Sequence, residues 1–308
     1  MISFIITGAT SMIGIELCTQ LTSLGHQVYA ICRKGNDRIK RLPLDNNLKV
    51  IYADLQNLSH ILGSPIQADV FIHLAWTNTD HEGRNNEALQ RLNVDYALEA
   101  IRIASLSGCT LFVEAGSQAE YGDAPDLITE ETPCYPYVEY GKAKLRVLHE
   151  GSELCNSLVL KYLHLRIFST FGENDRPWTL ILSAIDKMLK NEEIELSSCT
   201  QNWNFLYVSD CAKQIYRLCN HLINKSDFSF GVYNIASKET RPLKNYIEEM
   251  KLLLQSSSIL MYGYIHSAKQ VSLNPSVAKT ERAIGFTNEI SFSEAIKIII
   301  NRNYNIKI

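Results

Sequence analysis

The first 24 residues constrain the fold more than any other part of the chain. A short apolar run at residues 2–6 is typical of a buried parallel strand, and the turn T-G-A-T-S-M-I-G follows at residues 7–14. The segment after the turn has the apolar spacing of a helix, at Ile13, Leu17, Leu21 and Leu24. Strand, small-residue turn and helix form the first half of a mononucleotide-binding unit.

The turn has the chemistry of a pyrophosphate site. A helix N-terminus presents free N–H groups and the positive end of its dipole to an anion. We expect Gly8 to make the tight turn and Gly14 to let the helix pack closely on the strand. Ser11 stands where the usual pattern has its middle glycine, so its Cβ crowds the approach slightly while its hydroxyl is available to a phosphate. A plain strand-to-helix turn is the alternative.

A tyrosine and a lysine four residues apart, Tyr140 and Lys144, are the second informative feature. Four residues is about one helical turn, so both side chains leave the same face of a helix, and Pro136 suits a helix that starts near residue 137. An ammonium group beside a phenol lowers the phenol's pKa and prepares it for proton transfer near neutral pH. Alone the pair is a weak signal, because exposed structural pairs of this kind are common.

Apolar runs and helical patterns alternate along the first half of the chain, with the clearest helices at 85–107 and 137–155. This alternation predicts an α/β fold with a doubly wound, mostly parallel sheet that binds ligand at the carboxyl ends of its strands. After residue 172 the alternation degrades into helices near 177–190, 209–223, 242–255 and 291–301. The strand candidates are 2–6, 27–32, 48–52, 69–74, 110–114, 159–167, 194–197 and 231–235.

Composition is that of a soluble enzyme. The chain is 46% hydrophobic and 20% charged, and a net charge of −3 gives no sign of a nucleic-acid or membrane surface. No apolar run is long enough to span a bilayer, and the chain begins directly with a strand, so we expect no signal peptide or anchor. Eight scattered cysteines without a C-x-x-C pair give no support for a metal or redox site and fit reduced thiols in the cytoplasm.

Several ordered landmarks give the chain a family resemblance. It resembles the extended short-chain dehydrogenase/reductase family, in the branch of nucleotide-sugar epimerases, dehydratases and 4-ketoreductases, over nearly all of its 308 residues. The resemblance implies a Rossmann domain at 1–172 and a mostly substrate-binding lobe at 173–308, with about 204–238 returning to the core. The landmarks are residues 7–14, Asp54-Leu55, His73-Leu74-Ala75, Asn93-Val94, G-S-Q-A-E-Y-G at 116–122, Y-G-K-A-K at 140–144, R-I-F at 166–168, F-G at 171–172 and F-L-Y-V-S-D at 205–210.

The resemblance also implies roles for single residues. Ser117 hydrogen-bonds the substrate oxygen, Tyr140 exchanges the proton, and Lys144 lowers the tyrosine pKa and holds the nicotinamide ribose; a turn or cap is the alternative for Ser117. The cofactor-binding residues are Gly8, Thr10, Ser11, Met12, Ile13, Gly14, Arg33, Lys34, Asp54, Leu55, Leu74, Ala75, Trp76, Asn93, Tyr140 and Lys144. The substrate-binding residues are Ser117, Gln118, Glu120, Tyr140, Phe168, Arg176 and Trp203.

Some of the substrate assignments have alternatives. An exposed loop carboxylate is the favoured interpretation of Glu120 over a substrate contact. Arg176 is equally explained as part of a surface salt bridge, and Trp203 as core packing instead of stacking on a sugar or base. Trp203 stands where many relatives have an arginine that clamps the substrate diphosphate. Arg176 is the best remaining cation for that phosphate, and Lys213 and Lys269 are weaker candidates.

Departures from the family narrow the reaction. The 4,6-dehydratases carry an Asp-Glu pair after the serine or threonine, and fucose-type synthases use a cysteine two residues after the serine. Gln118 and Ala119 stand at these positions here, so dehydration and 3,5-epimerisation lack their groups. Hydride and proton transfer at one carbon remains, as 4-ketoreduction or 4-epimerisation.

The end of the second strand predicts the cofactor. NAD-preferring members place a carboxylate there to bind the ribose hydroxyls, whereas this chain has Cys32 followed by Arg33 and Lys34, unless both cations are merely solvated. Asp54 is expected at the adenine amino group with either cofactor. We therefore expect NADP(H), with NAD(H) as the alternative. The predicted function is an NADPH-dependent 4-ketoreductase of a nucleotide-activated 4-keto (deoxy)sugar for surface polysaccharide. The alternative is an NAD-dependent 4-epimerase, and a non-catalytic dinucleotide sensor is less consistent with the intact Ser117, Tyr140 and Lys144.

The resemblance also implies a homodimer. In the family, the helices at 85–107 and 137–155 form a four-helix bundle with a second subunit. Leu98, Ile101, Leu145 and Leu148 are the candidates for that contact, and packing on the sheet is their alternative.

Overall fold

A parallel sheet forms the centre of the computed structural model, which describes residues 1–63, 66–124, 126–265 and 271–307. The strands are β1 Ser3–Thr7, β2 Gln27–Cys32, β3 Leu48–Tyr52, β4 Val70–His73, β5 Leu111–Ser117, β6 Lys161–Ile167, β7 Ser169–Phe171, β8 Ile194–Glu195, β9 Asn202–Trp203, β10 Phe205–Tyr207, β11 Phe230–Ile235, β12 Arg241–Pro242 and β13 Leu260–Met261. The α-helices are α1 Met12–Ser23, α2 His81–Asn85, α3 Glu87–Leu106, α4 Glu139–Ser157, α5 Leu180–Leu189, α6 Val208–Ile223, α7 Leu243–Leu253, α8 Ala278–Ile284 and α9 Phe292–Tyr304.

The strand order in the main sheet is β11-β6-β5-β4-β1-β2-β3, and every neighbouring pair is parallel. The chain runs outward in one direction through β1, β2 and β3, and in the other through β4, β5 and β6. The order therefore reverses between β1 and β4, and a crevice opens beyond their carboxyl ends. The predicted doubly wound parallel sheet is confirmed.

Both faces of the sheet are covered. In β1, Phe4 and Ile6 pack into an apolar cluster with residues of α1 and α6, while Ile5 packs on the opposite face with residues of α3 and α4. Successive side chains of a strand point to opposite faces, so a continuous apolar run is what two covered faces require. This explains why the strands could be read from runs instead of from alternation.

Two helices differ in detail from the expected bounds or surfaces. Helix α4 begins at Glu139, two residues later than predicted, with Val138 as its N-cap. On α3 and α4, Ile101 and Leu148 are buried against the sheet of their own chain, which is the second of the two interpretations predicted for them. Leu98 and Leu145 are partly buried, and the homodimer stays a prediction.

The C-terminal part has its own apolar cluster and three small sheets. β7 pairs in parallel with β10, β8 in parallel with β13, and β9 antiparallel with β12. Residues of α5, α7 and α9 form the cluster around Tyr246 and Phe292, whose ring centroids are 4.7 Å apart. Within the described ranges, none of the helices combines the length and apolar character needed to cross a membrane.

Candidate active site

The turn between β1 and α1 leaves no room for side chains at its two glycines. Gly8 has a φ of +67°, and a Cβ there would lie 2.8 Å from the backbone nitrogen of Ala75 in the loop after β4. A Cβ on Gly14 would overlap the carbonyl oxygen of Gly8. Gly14 therefore makes room for the backbone of the turn, whereas the sequence predicted that it makes room for the strand. Ser11 caps α1, since its Oγ accepts a hydrogen bond from Gly14 N at 3.0 Å. The start of α1 therefore lies in a closely packed backbone turn, whose residues Gly8, Thr10 and Ser11 line a cleft.

A cleft of about 720 Å³ opens beyond the carboxyl ends of β1, β2 and β4. It has the location expected for a dinucleotide in a doubly wound sheet. The predicted cofactor residues that line it are Gly8, Thr10, Ser11, Arg33, Asp54, Leu55, Leu74, Ala75 and Trp76.

The other predicted cofactor residues lie elsewhere. The side chains of Met12 and Ile13 pack into apolar clusters, because α1 needs that face to bury against its neighbours. Lys34 is exposed outside the cleft lining. Asn93 is buried, with Oδ1 accepting from Thr77 N at 2.9 Å and Nδ2 donating to Thr77 O at 3.1 Å. Asn93 thus holds the loop after β4 and is not itself exposed to the cleft.

Three arginines contribute positive charge to the lining of the cleft. Arg33, Arg38 and Arg176 all line it. Burial, followed by the charges of Arg41 and Arg176, lowers the pKa of Arg38. Its Nη2 donates to Asn174 O at 2.6 Å, whereas its buried Nε has no hydrogen-bond partner among the described residues. An unpartnered donor among clustered positive charges fits an anionic group such as a nucleotide phosphate.

Sequence reasoning missed Arg38 and Asn36 in this cleft. Asn36 donates from Nδ2 to Thr10 Oγ1 at 2.9 Å and caps the 3-10 helix Asp37–Arg41 by accepting from Arg38 N at 3.0 Å. The signal that could have found them is the asparagine, because asparagine favours N-cap positions and predicts a helical turn after it. Arg38 lies in that turn.

The predicted catalytic residues come from β5 and α4. Ser117 is the last residue of β5, and its Oγ accepts from Ala119 N at 3.2 Å. A Cβ on Gly141 would overlap Ala119 O, so the first turn of α4 lies directly against the backbone that follows Ser117. The turn of α4 that carries Tyr140 therefore lies beside the residues that follow Ser117, and Lys144 follows one turn later on the same helix.

Lys144 is enclosed by three groups. Its Nζ donates to Glu114 Oε1 at 3.0 Å and to Ala115 O at 2.5 Å, and it lies 3.4 Å from the centroid of the Trp76 ring. Burial raises the pKa of Glu114, and the neighbouring side chains of Lys144 and His164 offset this only in part.

Trp76 stands between the cleft and the catalytic pair. Its ring meets the Tyr140 ring edge-on at 5.9 Å, and its Nε1 donates to Gln90 Oε1 at 2.8 Å. Tyr140 and Lys144 do not line the cleft themselves. The cofactor contacts predicted for them would lie on the far side of the Trp76 indole.

The family model for the NAD dependent epimerase/dehydratase family matches residues 4–236. The chain belongs to this family. It is similar to the CDP-abequose synthase of Salmonella muenchen, at 23% identity over 96% of each chain. It is also similar to the dTDP-4-dehydro-6-deoxyglucose reductase of Escherichia coli, at 24% identity over 83% of each. Among solved structures, MoeE5 in complex with UDP-glucuronic acid and NAD has the same fold, with a TM-score of 0.85, 23% identity and coverage of 98% of this chain and 99% of that one.

For this family member, the substrate assignment of Glu120 is wrong. The carboxylate is fully buried and accepts from Ser117 N at 2.7 Å, from His164 Nε2 at 2.9 Å and from Arg166 Nε at 2.9 Å. Burial alone would raise its pKa, but these partners outweigh burial and hold the pKa at about 2. Glu120 is not exposed, and its carboxylate fixes the backbone of Ser117.

Other substrate assignments are also changed. Phe168 is buried in an apolar cluster with Tyr121, which leaves no face for a ligand. Trp203 packs partly buried against two apolar clusters, in agreement with core packing. Arg176 lies in the dinucleotide cleft, where Nη2 donates to Thr79 Oγ1 at 2.6 Å, so it is placed for the cofactor side instead.

The remaining candidates are less informative. Gln118 is half-exposed beside Ser117. Lys213 pairs with Glu289 at 2.6 Å, and Lys269 lies outside the described residues. Across the described ranges, no cluster of three or more histidine, cysteine, aspartate or glutamate side chains has the arrangement of a metal site.

Proposed function

We propose that this protein is an NADPH-dependent ketoreductase that acts on a nucleotide-activated 4-keto (deoxy)sugar, for the synthesis of surface polysaccharide in the cytoplasm. The observation that carries the proposal is the set of arginines that lines the cleft. Arg33 and Arg38 both line it, and Cys32, which stands where an NAD-preferring member carries a carboxylate for the ribose hydroxyls, supplies none. Guanidinium groups favour the 2′-phosphate of NADPH.

The cleft offers matching groups along the length of a dinucleotide. The N–H groups at the start of α1, with Gly8 and Ser11, would hold the pyrophosphate. Asp54 would face the adenine, and Arg33 with Arg38 would hold the 2′-phosphate. Lys144 and Tyr140 would meet the nicotinamide ribose at the end bordered by Trp76.

The chemistry needs a proton donor and two oriented hydrogen-bond donors at one oxygen. When bound, the nicotinamide supplies a hydride to the carbonyl carbon of the sugar. Tyr140 Oη gives its proton to the carbonyl oxygen, and Ser117 Oγ stabilises the negative charge that develops there. Tyr140 then recovers a proton from solvent, so each turnover consumes one hydride and one proton and yields an alcohol.

A 4-epimerase is the second candidate. The solved structure of MoeE5 holds NAD and shares the fold, and a 4-epimerase uses the same three catalytic residues. The two reactions differ in cofactor handling, because an epimerase keeps NAD bound and recycles it while a reductase consumes NADPH.

The first test is to denature the purified protein and identify the nucleotide it releases, followed by titration of the emptied protein with each reduced cofactor. We expect no tightly retained NAD and tighter binding of NADPH than of NADH. Retained NAD together with equal affinity for both cofactors would return the 4-epimerase to first place.

A further inference from the structure

An arginine that the proposed mechanism does not use lies on the face of the candidate catalytic tyrosine. The guanidinium carbon of Arg84 is 4.3 Å from the centroid of the Tyr140 ring. Arg84 is half-buried, and no described residue places a carboxylate or other acceptor within hydrogen-bond distance of its guanidinium. By contrast, the buried Arg166 is paired with the carboxylate of Glu120.

The position of Arg84 is built into the fold. Asp80 caps α2 by accepting from Gly83 N at 2.8 Å, and Gln90 donates from Nε2 to Gly83 O at 2.8 Å. A Cβ on Gly83 would lie 2.6 Å from Asn78 O, so α2 fits tightly against the loop before it. Gln90 Oε1 also accepts a hydrogen bond from Trp76 Nε1. Gln90 therefore links α2 to Trp76, whose ring packs against Tyr140.

The charge of Arg84 matters because the charge of Lys144 is largely neutralised by a neighbouring carboxylate. Lys144 Nζ is paired with the buried carboxylate of Glu114, which offsets its effect on the phenol one turn away. Arg84 has no such counter-ion among the described residues. A cation over an aromatic face is attracted to the ring, and the attraction grows when the ring oxygen becomes negative.

We propose that Arg84 is a positioning residue for Tyr140, which holds the ring and stabilises its phenolate when the proton has left. This deepens the proposed function and rests on it for the kinetic prediction only. In the step concerned, the O–H bond of Tyr140 breaks, the substrate oxygen takes the proton as its carbon takes the hydride, and the phenolate remains facing the guanidinium.

The direct test needs neither cofactor nor substrate. Protein labelled with ¹³C at the tyrosine ring carbon that bears the hydroxyl is titrated with base by NMR, and Tyr140→Phe identifies the Tyr140 signal. Arg84 on α2 is the charged group on the face of this tyrosine ring. The charged groups beside Tyr140 on its own helix are Glu139, Lys142 and Lys144, and the elements packed against that helix contribute the buried Glu114 and Glu120 on β5 and the turn after it. In Arg84→Ala the phenolate of Tyr140 should form at a higher pH than in the wild type, with Arg84→Lys between them. Arg91→Ala, which removes an exposed arginine of α3, should match the wild type.

The kinetic test asks whether the charge itself is needed. Arg84→Ala should lower kcat by roughly 10- to 30-fold, the effect of losing a partly desolvated cation–π contact, with little change in KM or in cofactor affinity. Added guanidinium ion should restore part of the loss in Arg84→Ala and have no such effect in Arg91→Ala. An unchanged Tyr140 titration in Arg84→Ala overturns the proposal. So does a loss of kcat that guanidinium leaves untouched in a protein of normal thermal stability. If the wild type reduces no keto sugar while the NMR shift is present, the proposed function fails and the role of Arg84 stands.

Discussion

Lys144 and Glu114 form an ion pair that solvent does not reach. Their side chains are 4% and 0% exposed, and Nζ and Oε1 are 3.0 Å apart. The pair joins α4 to β5, the two elements that carry Tyr140 and Ser117. The relative position of Tyr140 and Ser117 therefore depends on this buried ion pair.

Glu114→Gln tests this dependence. Removing one partner leaves the other charge buried without compensation, so we expect the free energy of unfolding to fall by about 3–5 kcal/mol. Glu99→Gln, which breaks the exposed pair of Glu99 with Arg102 on α3, should cost less than about 1 kcal/mol. Urea denaturation of both variants decides the matter, and equal small losses would show that the buried pair does not hold the site.

The buried carboxylate of Glu120 predicts that the free energy of unfolding depends on pH. Its pKa in the folded protein is about 2, below the ordinary value of 4.5. Its contribution is therefore fully present above about pH 4.5 and is lost as the pH falls toward 2, and amounts to about 3 kcal/mol. The difference in unfolding free energy between wild type and Glu120→Gln should shrink over this range. A difference that stays constant from pH 7 to pH 3 would contradict the assignment.

The cationic cleft predicts a cofactor-selective loss. Arg33→Ala should weaken NADPH binding by roughly 1.5–3 kcal/mol, the scale of a hydrogen bond to a charged group, and leave NADH nearly unchanged. Arg38→Ala should act in the same direction, because Arg38 also lines the cleft. Lys34→Ala is the matched control, since Lys34 lies outside the lining. Calorimetric titration that finds equal losses for both cofactors would overturn the preference for NADPH.

Tyr140 and Lys144 separate proton transfer from binding. Tyr140→Phe should fold, bind cofactor and lose roughly 10²–10⁴ in turnover, the usual range for general acid–base catalysis. Lys144→Met should lose turnover and also weaken cofactor binding, because it has two roles. Its loss of folding stability should resemble that of Glu114→Gln. Near-normal turnover in Tyr140→Phe would remove the tyrosine from the mechanism.

The fold and the framework of the site could be predicted from the sequence because their signals are local. Buried strands appear as apolar runs, and the glycines of the first turn need conformations that few other residues adopt. Pro136 predicts the start of α4 to within two residues.

What could not be predicted depends on residues distant in sequence. Glu120 is buried because β6 presents His164 and Arg166 beside it, 44 and 46 residues later. Arg84 reaches Tyr140 through a short helix that has too few residues for an apolar period. The partner of Lys144 was missed because Glu114 sits inside an apolar run, where a single carboxylate gives no sign of what it meets.

The most direct test of the central claim is isotope transfer. The protein is incubated with a nucleotide-activated 4-keto-6-deoxysugar and an excess of NADPH deuterated at the transferring position of the nicotinamide, and the sugar product is examined by mass spectrometry and NMR. We predict one deuterium at C4 of every product molecule, with one NADPH oxidised for each alcohol formed. Epimerisation of a nucleotide sugar without net NADPH oxidation, and without deuterium from the added cofactor, would contradict the account.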